Sequence, residues 1–486
     1  MAKKARQATA EQGSDFEKGQ GPVTRTERDS MGPMEVPIDA LWGASTQRAV
    51  LNFPVSGTSL PPEFLRSLGL VKWACAEANK KLGVLQPAIA EAAAAAALSI
   101  YEGEHLDQFP IDIFQTGSGT SSNMNANEVI AHLATQILGD TVHPNDHVNF
   151  GQSSNDIIPT TMHVAAVLQI EHELIPALEH LHACLAAKAK EFDGVVKVGR
   201  THLQDAVPIR LGQEFGGYAR QIELSIERVR ATLPGLLELA QGGTALGTGL
   251  NAHPKFGAAV AAKLEEATGF KFREAKDHFE AQASRDAYVF CAGALDTVAA
   301  SLMKIANDVR LMASGPDCGL GELLLPAIQP GSSIMPGKVN PVICEAVTMV
   351  GAHVTGNGVA VRTGGQWGQL DLNVMLPMMA HNLLESIRLL ANISRVFVDH
   401  CLADTKANVE RATANVERSV SMATALNPLI GYDKAAKIAK ASQAEHKTVR
   451  EIAYRDSGLT KAQVDKALDP KAQTVPDEKR VASGGG

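Results

Sequence analysis

Apolar side chains recur every third or fourth position through much of this chain. Leu295, Val298, Leu302, Ile305, Val309 and Met312 alternate steps of three and four, placing all six on one stripe of a long helix. Leu174, Leu178, Leu181 and Leu185 repeat the spacing, and so do Leu383, Ile387 and Leu390. Stripes of this kind bury themselves against other long helices, so a helical bundle is expected. Alternating strand patterns are scarce. The alanine run at 92–97 lies between Glu91 and Glu102, too short and too broken to span a bilayer, and predicts a buried helix. The expected fold class is mainly α.

Polar, glycine-rich segments interrupt the helical pattern at 115–123, 143–156, 199–205, 242–251 and 331–341. A bundle needs only short turns, so long stretches of Ser, Thr, Asn and Gly point to a site assembled from distant parts of the chain. The expected organisation is a disordered tail over 1–24, a mixed, mostly helical domain over 25–150 and a central helical domain over 151–408. A small C-terminal helical domain over 409–470 and a disordered tail over 471–486 complete it.

Composition narrows the function. The 486 residues carry a net charge of −8, which argues against nucleic-acid binding, since that relies on neutralising phosphates. An anionic substrate then needs a local positive site. The six cysteines, Cys75, Cys184, Cys291, Cys318, Cys344 and Cys401, show no CxxC pairing, as expected in a reducing compartment. Residues 1–24 contain Lys3, Lys4 and Arg6 but lack the apolar core of a signal peptide. A cytoplasmic protein without membrane or nucleic-acid partners is expected.

The segment 331–341, Gly-Ser-Ser-Ile-Met-Pro-Gly-Lys-Val-Asn-Pro, is the most suggestive chemically. A P-loop needs four residues between its glycines and Ser or Thr after the lysine; here there are five, and Val339 follows Lys338. What remains is an anion-seeking loop suited to a small carboxylate. Asn340 and Pro341 read as a helix start, Asn as cap and Pro in the first helical position. Lys338 is either a solvated surface charge or, ahead of a helix N-terminus, part of a carboxylate clamp. Thr116, Gly117, Ser118, Gly119 and Thr120 form a nest without dinucleotide-loop spacing, and Ser153, Ser154 and Asn155 are either a second nest or a plain helix cap. His202 is the best acid–base candidate, because imidazole exchanges protons near neutrality. Glu345 is placed to support such a histidine. No metal is assigned to His143, Asn145 and Asp146.

Together these segments resemble the fumarase/aspartase superfamily, and within it the class II fumarate hydratases. The likeness includes 116–129 (TGSGTSSNMNANEV), 143–149 (HPNDHVN), 152–156 (QSSND), 199–206 (GRTHLQDA), 242–251 (GGTALGTGLN), 304–310 (KIANDVR) and 331–341. It implies a homotetramer around a central helical bundle, with active sites shared among three subunits and no cofactor. It implies reversible hydration of fumarate to L-malate through an aci-carboxylate. By the same resemblance Ser332 removes the C3 proton, and His202 paired with Glu345 handles the proton at the leaving hydroxyl. Read from chemistry alone, His202 would be the base. Thr116, Ser118, Gly119, Thr120, Ser153, Ser154, Asn155, Thr201, Ser333, Lys338, Val339 and Asn340 match substrate-contacting positions. His143, Pro144, Asn145 and Asp146 match a second dicarboxylate site, although Asp140 stands where an arginine often helps form it.

Other departures keep an alternative open. Gln369-Leu370-Asp371-Leu372-Asn373-Val374-Met375 is nearer to aspartate ammonia-lyases than to fumarases, Ser121 replaces a common glutamine, and Leu429 a common histidine. The alternative is therefore aspartate ammonia-lyase. Gly337 favours the hydratase, since aspartases usually carry alanine there. A non-catalytic binding protein on the same scaffold is a third reading, weakened by the presence of Ser332, His202 and Lys338.

Overall fold

The computed structural model describes residues 23–478 and Val481. Helices dominate them, and every sheet among them is a two-stranded pair. They divide into two compact units, each built from separated segments.

The first unit holds the described residues up to Ala165, with Leu237–Arg285 and Gly364–His381. It opens with the antiparallel pair β1 (Thr24–Asp29) and β2 (Gly32–Pro37), followed by helices α1 (Ala44–Asn52), α2 (Pro62–Lys81), α3 (Pro87–Glu102) and α4 (Thr120–Leu138). Helix α5 (Ser154–Gln169) begins in this unit. Proline opens α2 and α3, where no N–H is missed, and left-handed Gly103 ends α3. The alanine run is buried as expected, with Ala92, Ala93, Ala94, Ala96 and Ala97 all in the core. Small residues let α2 and α3 approach closely: a Cβ on Gly69 would lie 2.7 Å from the Ala97 carbonyl oxygen.

The second unit comprises Ala166–Leu236, Asp286–Thr363 and the described residues from Asn382 onward. It contains α6 (Ile175–Glu191), the antiparallel pair β3 (Val196–Thr201) and β4 (Gln204–Arg210), α7 (Leu211–Arg230), the long helix Asp286–Met312 and, up to Thr363, the helix Val342–Gln366. The predicted stripes are its core: Leu295, Val298, Leu302, Ile305, Val309 and Met312 are buried, as are Leu174, Leu178, Leu181 and Leu185. Leu383, Ile387 and Leu390 are buried on the helix Leu376–Phe397. A separate cluster gathers Val416, Leu426, Ile438, Val449, Ile452 and Leu468 around Val198 of β3.

Three expectations are corrected. Residues 199–205 are not an irregular loop but belong to the β3–β4 hairpin, in which Thr201 pairs with Gln204. The expected disordered tail over 471–486 begins with an ordered turn, Lys471–Thr474, whose Thr474 carbonyl accepts the Gln213 side-chain N–H at 3.0 Å. Thr24 of the expected N-terminal tail opens β1, while residues 1–22 of that expectation lie outside the described residues.

Candidate active site

In the first unit the 115–123 segment is a wound turn leading into α4. The Gly119 N–H reaches the Thr116 carbonyl at 2.7 Å, and the Gln115 carboxamide oxygen takes both the N–H and the hydroxyl of Ser122, each at 3.0 Å. Hydroxyls pair within the turn, Thr116 with Ser121 at 3.1 Å and Ser118 with Thr120 at 2.8 Å. Two glycines are required. Gly119 sits at φ +74°, and a Cβ on Gly117 would lie 1.8 Å from the Val374 carbonyl oxygen. Val374 follows the short hairpin pairing Gly368–Gln369 with Leu372–Asn373, so the segment that departs toward ammonia-lyases packs on this turn.

Ser153 caps α5. Its hydroxyl accepts the Asn155 N–H at 3.2 Å and its carbonyl accepts the Ile157 N–H at 3.0 Å, so the cap reading holds for this residue. The Asn155 side chain donates to the Ala245 carbonyl at 2.7 Å. Asp156 is fully buried. Its carboxylate takes N–H groups from Ser153 at 2.9 Å, Thr244 at 3.0 Å, and Gly242 and the Gln241 side chain at 3.1 Å. Burial pushes its pKa up to about 6 against the pull of these donors. Beside Ser153 opens a cavity of about 540 Å³, lined in part by Asn145, Asp146, Asn149, Gln152 and Asn251. A larger one, about 640 Å³, lined around Gly431, Lys434 and Lys437, contains none of the candidate site residues.

His143 opens a short turn, Pro144–Val148, and its Nδ1 accepts N–H groups of Asn145 at 3.3 Å and Asp146 at 3.1 Å. His147, four residues on, likewise uses Nδ1 to accept the His143 N–H at 2.9 Å. This histidine pair escaped the sequence reading. Among the described residues no His, Cys, Asp and Glu group has the arrangement of a metal site.

In the second unit, Thr201 and His202 stand at the exposed tip of the β3–β4 hairpin. Both central residues are left-handed, His202 at φ 55° and Leu203 at φ 59°. A two-residue hairpin turn of this hand normally takes Asn-Gly, so two bulkier side chains here store backbone strain. The hairpin is anchored beneath its tip by a buried ion cluster. Glu322, fully buried, receives a two-pronged contact from Arg200 at 2.9 and 3.0 Å, and Lys197 lies 3.2 Å from the same carboxylate and 2.8 Å from Glu214.

The 331–341 loop closes on itself. The Gly331 N–H meets the Lys338 carbonyl at 3.0 Å, and the Asn340 side-chain N–H meets the Gly331 carbonyl at 2.6 Å. A Cβ on Gly331 would lie 2.2 Å from the Lys338 oxygen, so only glycine fits. Asn340 is therefore not the helix cap expected from sequence. Pro341 accepts the first helical bond, from the Glu345 N–H at 3.1 Å, and the helix starts at Val342. Within the loop the Ser332 Oγ accepts two backbone N–H groups, from Ile334 at 3.2 Å and Met335 at 3.1 Å. Ser333, Lys338 and Val339 are exposed. His202 and Glu345 are both exposed, and neither side chain has a hydrogen-bond partner among the described residues.

Family models place these segments. A lyase model matches residues 32–356, and a model of the fumarase C C-terminus matches residues 422–474. The chain is 58% identical over 436 residues to a class II fumarate hydratase of Mycobacterium tuberculosis, covering 90% of this chain and 92% of that one. The chain belongs to the class II fumarate hydratases. Another member, from Methylorubrum extorquens, is 53% identical over 459 residues, covering 93% of this chain and 97% of the relative. A crystal structure of class II fumarase from Schistosoma mansoni superposes with a TM-score of 0.91 at 39% identity, covering 93% of this chain and all of that one. A fumarate lyase:delta crystallin from Brucella melitensis, bound to cobalt, gives 0.90 at 43% identity over the same shares. The aspartate ammonia-lyase alternative is not favoured.

As a hydratase of this class, the chain keeps its expected site residues in two groups. Thr116, Ser118, Gly119, Thr120, Ser153, Ser154 and Asn155 lie in the first unit, and Thr201, His202, Ser332, Lys338, Asn340 and Glu345 in the second. Sequence reasoning passed over the side chains that hold them: Gln115, Asn149, Asp156, Arg200 and Glu322. A buried acid one turn into a helix and an arginine two residues before a candidate histidine were the available signals.

Proposed function

We propose that this chain reversibly hydrates fumarate to L-malate, with Ser332 as the base at C3 and His202 as the acid at the leaving hydroxyl. The supporting observation is the environment of Ser332. A serine hydroxyl is a weak base unless its anion is stabilised, and two backbone N–H groups already point at its Oγ. The Ser332 alkoxide takes the C3 proton of malate, and the C–H electron pair moves into the neighbouring carboxylate as an aci-carboxylate. The C2–O bond then breaks with a proton from His202, releasing water. Glu345 orients and charge-supports the imidazole, the pair forming across a subunit boundary.

Lys338, the Asn340 side chain and the N–H of Val339 stabilise the doubled negative charge, with Ser333 and Thr201 beside them. Thr116, Ser118, Gly119 and Thr120 at the start of α4, and Ser153, Ser154 and Asn155 at the start of α5, hold substrate carboxylates at two helix N-termini. The segments converge in a homotetramer in which three subunits build each site. The helix Asp286–Met312 supports this assembly: it is long and apolar, yet only 56% of its most apolar window is buried within the chain. Phe290 on it and Met349 on Val342–Gln366 are exposed. Helix packing between subunits, rather than a bilayer, covers such faces. The turn carrying His143, Pro144, Asn145 and Asp146 is the second dicarboxylate position, weakened by the exposed carboxylates of Asp140 and Asp146. Six unpaired cysteines suit a reducing cytoplasm.

Ser332→Ala tests the base. It lowers kcat with malate by about a thousandfold, within the usual range for a general base, and abolishes proton exchange at C3. Exchange at the wild-type rate in this variant sinks the assignment. Malate and aspartate offered in parallel, followed by fumarate absorbance, test the substrate; turnover of aspartate alone reverses it.

A further inference from the structure

The 153–155 turn is backed by a buried cation to which the reaction set out above gives no part. Lys72 of α2 is 2% exposed, and among the described residues no carboxylate lies within ion-pair distance of its Nζ. The ammonium instead donates to Asn149 Oδ1 at 3.1 Å and Gln152 Oε1 at 2.9 Å. Holding a charge on two neutral amides inside a protein is costly, and an apolar side chain of the same length would avoid that cost. The group earns its place only through what it organises.

The contacts lead to the proposed binding turn. Asn149 Oδ1 also accepts the Asn123 side-chain N–H at 3.2 Å, and the same Asn123 amide donates to the Ser154 hydroxyl at 3.1 Å. Asn149 donates in turn to the Gln152 carbonyl at 3.2 Å, and Gln152 to the Val148 carbonyl at 3.0 Å. Lys72 therefore fixes the Asn149 and Gln152 side chains ahead of Ser153, and both line the 540 Å³ cavity beside it. The other titratable groups facing it are Asp156, whose carboxylate is committed to four N–H donors, and Cys75, whose thiol burial keeps protonated. Burial lowers Lys72 to about 7, and a dianion bound nearby favours its charged form.

We propose that Lys72 is a positioning residue for the substrate: its ammonium orients Asn149 and Gln152, holds the Ser154 hydroxyl through Asn123, and places positive charge beneath the carboxylate-binding turn. This rests on the reading that the 153–155 turn binds a substrate carboxylate. Lys72→Met in the full-length enzyme raises KM for malate and fumarate about tenfold, as loss of hydrogen bonds from a charged group does, while kcat stays within about threefold. The Kd of succinate, an unreactive dicarboxylate, shifts in parallel by calorimetry, and Lys72→Arg recovers part of both. A wild-type KM and succinate Kd in Lys72→Met, with only the melting temperature lowered, overturn the proposal. If Lys72→Met does not fold, Asn149→Leu at the half-buried next link decides: the same rise in KM is expected, and an unchanged KM refutes it. Asn155→Ala separates the two readings. Unchanged KM there sinks the binding turn and the Lys72 role with it; a raised KM beside an unchanged one in Lys72→Met sinks the Lys72 role alone.

Discussion

Single residues in this chain serve the backbone with the same atoms that the proposed chemistry uses. The Ser332 oxygen holds its own loop through two N–H groups, and in the proposed reaction the same two groups would prepare it as a base. From sequence Ser332 stood out only through a family likeness, because an oxyanion-stabilising turn is a matter of backbone geometry, which residue types do not spell out. Asn340 was misread as a cap for a related reason: an Asn-Pro pair before a helix fits that role, but the Gly331 carbonyl closes the loop through its side chain instead. Lys72 offers a test by pH. Its pKa is about 7 in the fold, against about 10.4 in an unfolded chain, so the unfolded state binds more protons between those values. Stability therefore rises with pH across that window, and the buried charge is most costly below it. Urea unfolding of wild type and Lys72→Met at pH 7 and pH 9 is expected to show wild type gaining on the variant at the higher pH. Parallel behaviour would mean that Lys72 does not titrate there.

At the scale of elements, the helices were legible and the hairpin was not. The stripes from Leu174 and Leu295 bury the side chains they predicted, because burial on one face is written directly in spacing. The alternation of Val196, Val198, Val207 and Ile209 is too short to stand out beside a polar motif, and it marks β3 and β4. What fixes that hairpin is the cluster of Lys197, Arg200, Glu214 and Glu322, made of residues up to 125 positions apart (Lys197 to Glu322) and invisible to local pattern. Glu322→Gln leaves two largely buried cations without their shared carboxylate. A loss of about 3–5 kcal/mol is expected, the range for breaking a buried pair from one side, read as a lower urea midpoint. Activity should fall further than the folded fraction, because the hairpin carries His202. Equal losses would confine the cluster to stability.

The whole molecule is where sequence, read without a family, says least, because assembly depends on surfaces. Among the described residues of one chain the His202 and Glu345 side chains have no hydrogen-bond partner, and the expected site residues divide between two compact units. If three subunits share each site, Ser332→Ala and His202→Asn enzymes, each inactive alone, regain activity when unfolded and refolded together. Sites that draw both intact residues from different subunits then make up about a quarter of the total in a random mixture. No recovery would place both residues in the same chain's site. The hairpin tip has its own bearing on engineering. His202 and Leu203 hold a conformation that Asn-Gly adopts more easily, so a library screened for heat tolerance should enrich glycine at 203. Such winners would survive hotter and turn over more slowly, because the point that carries the proposed acid would have been softened. Thermal selection on this scaffold therefore needs position 203 held fixed.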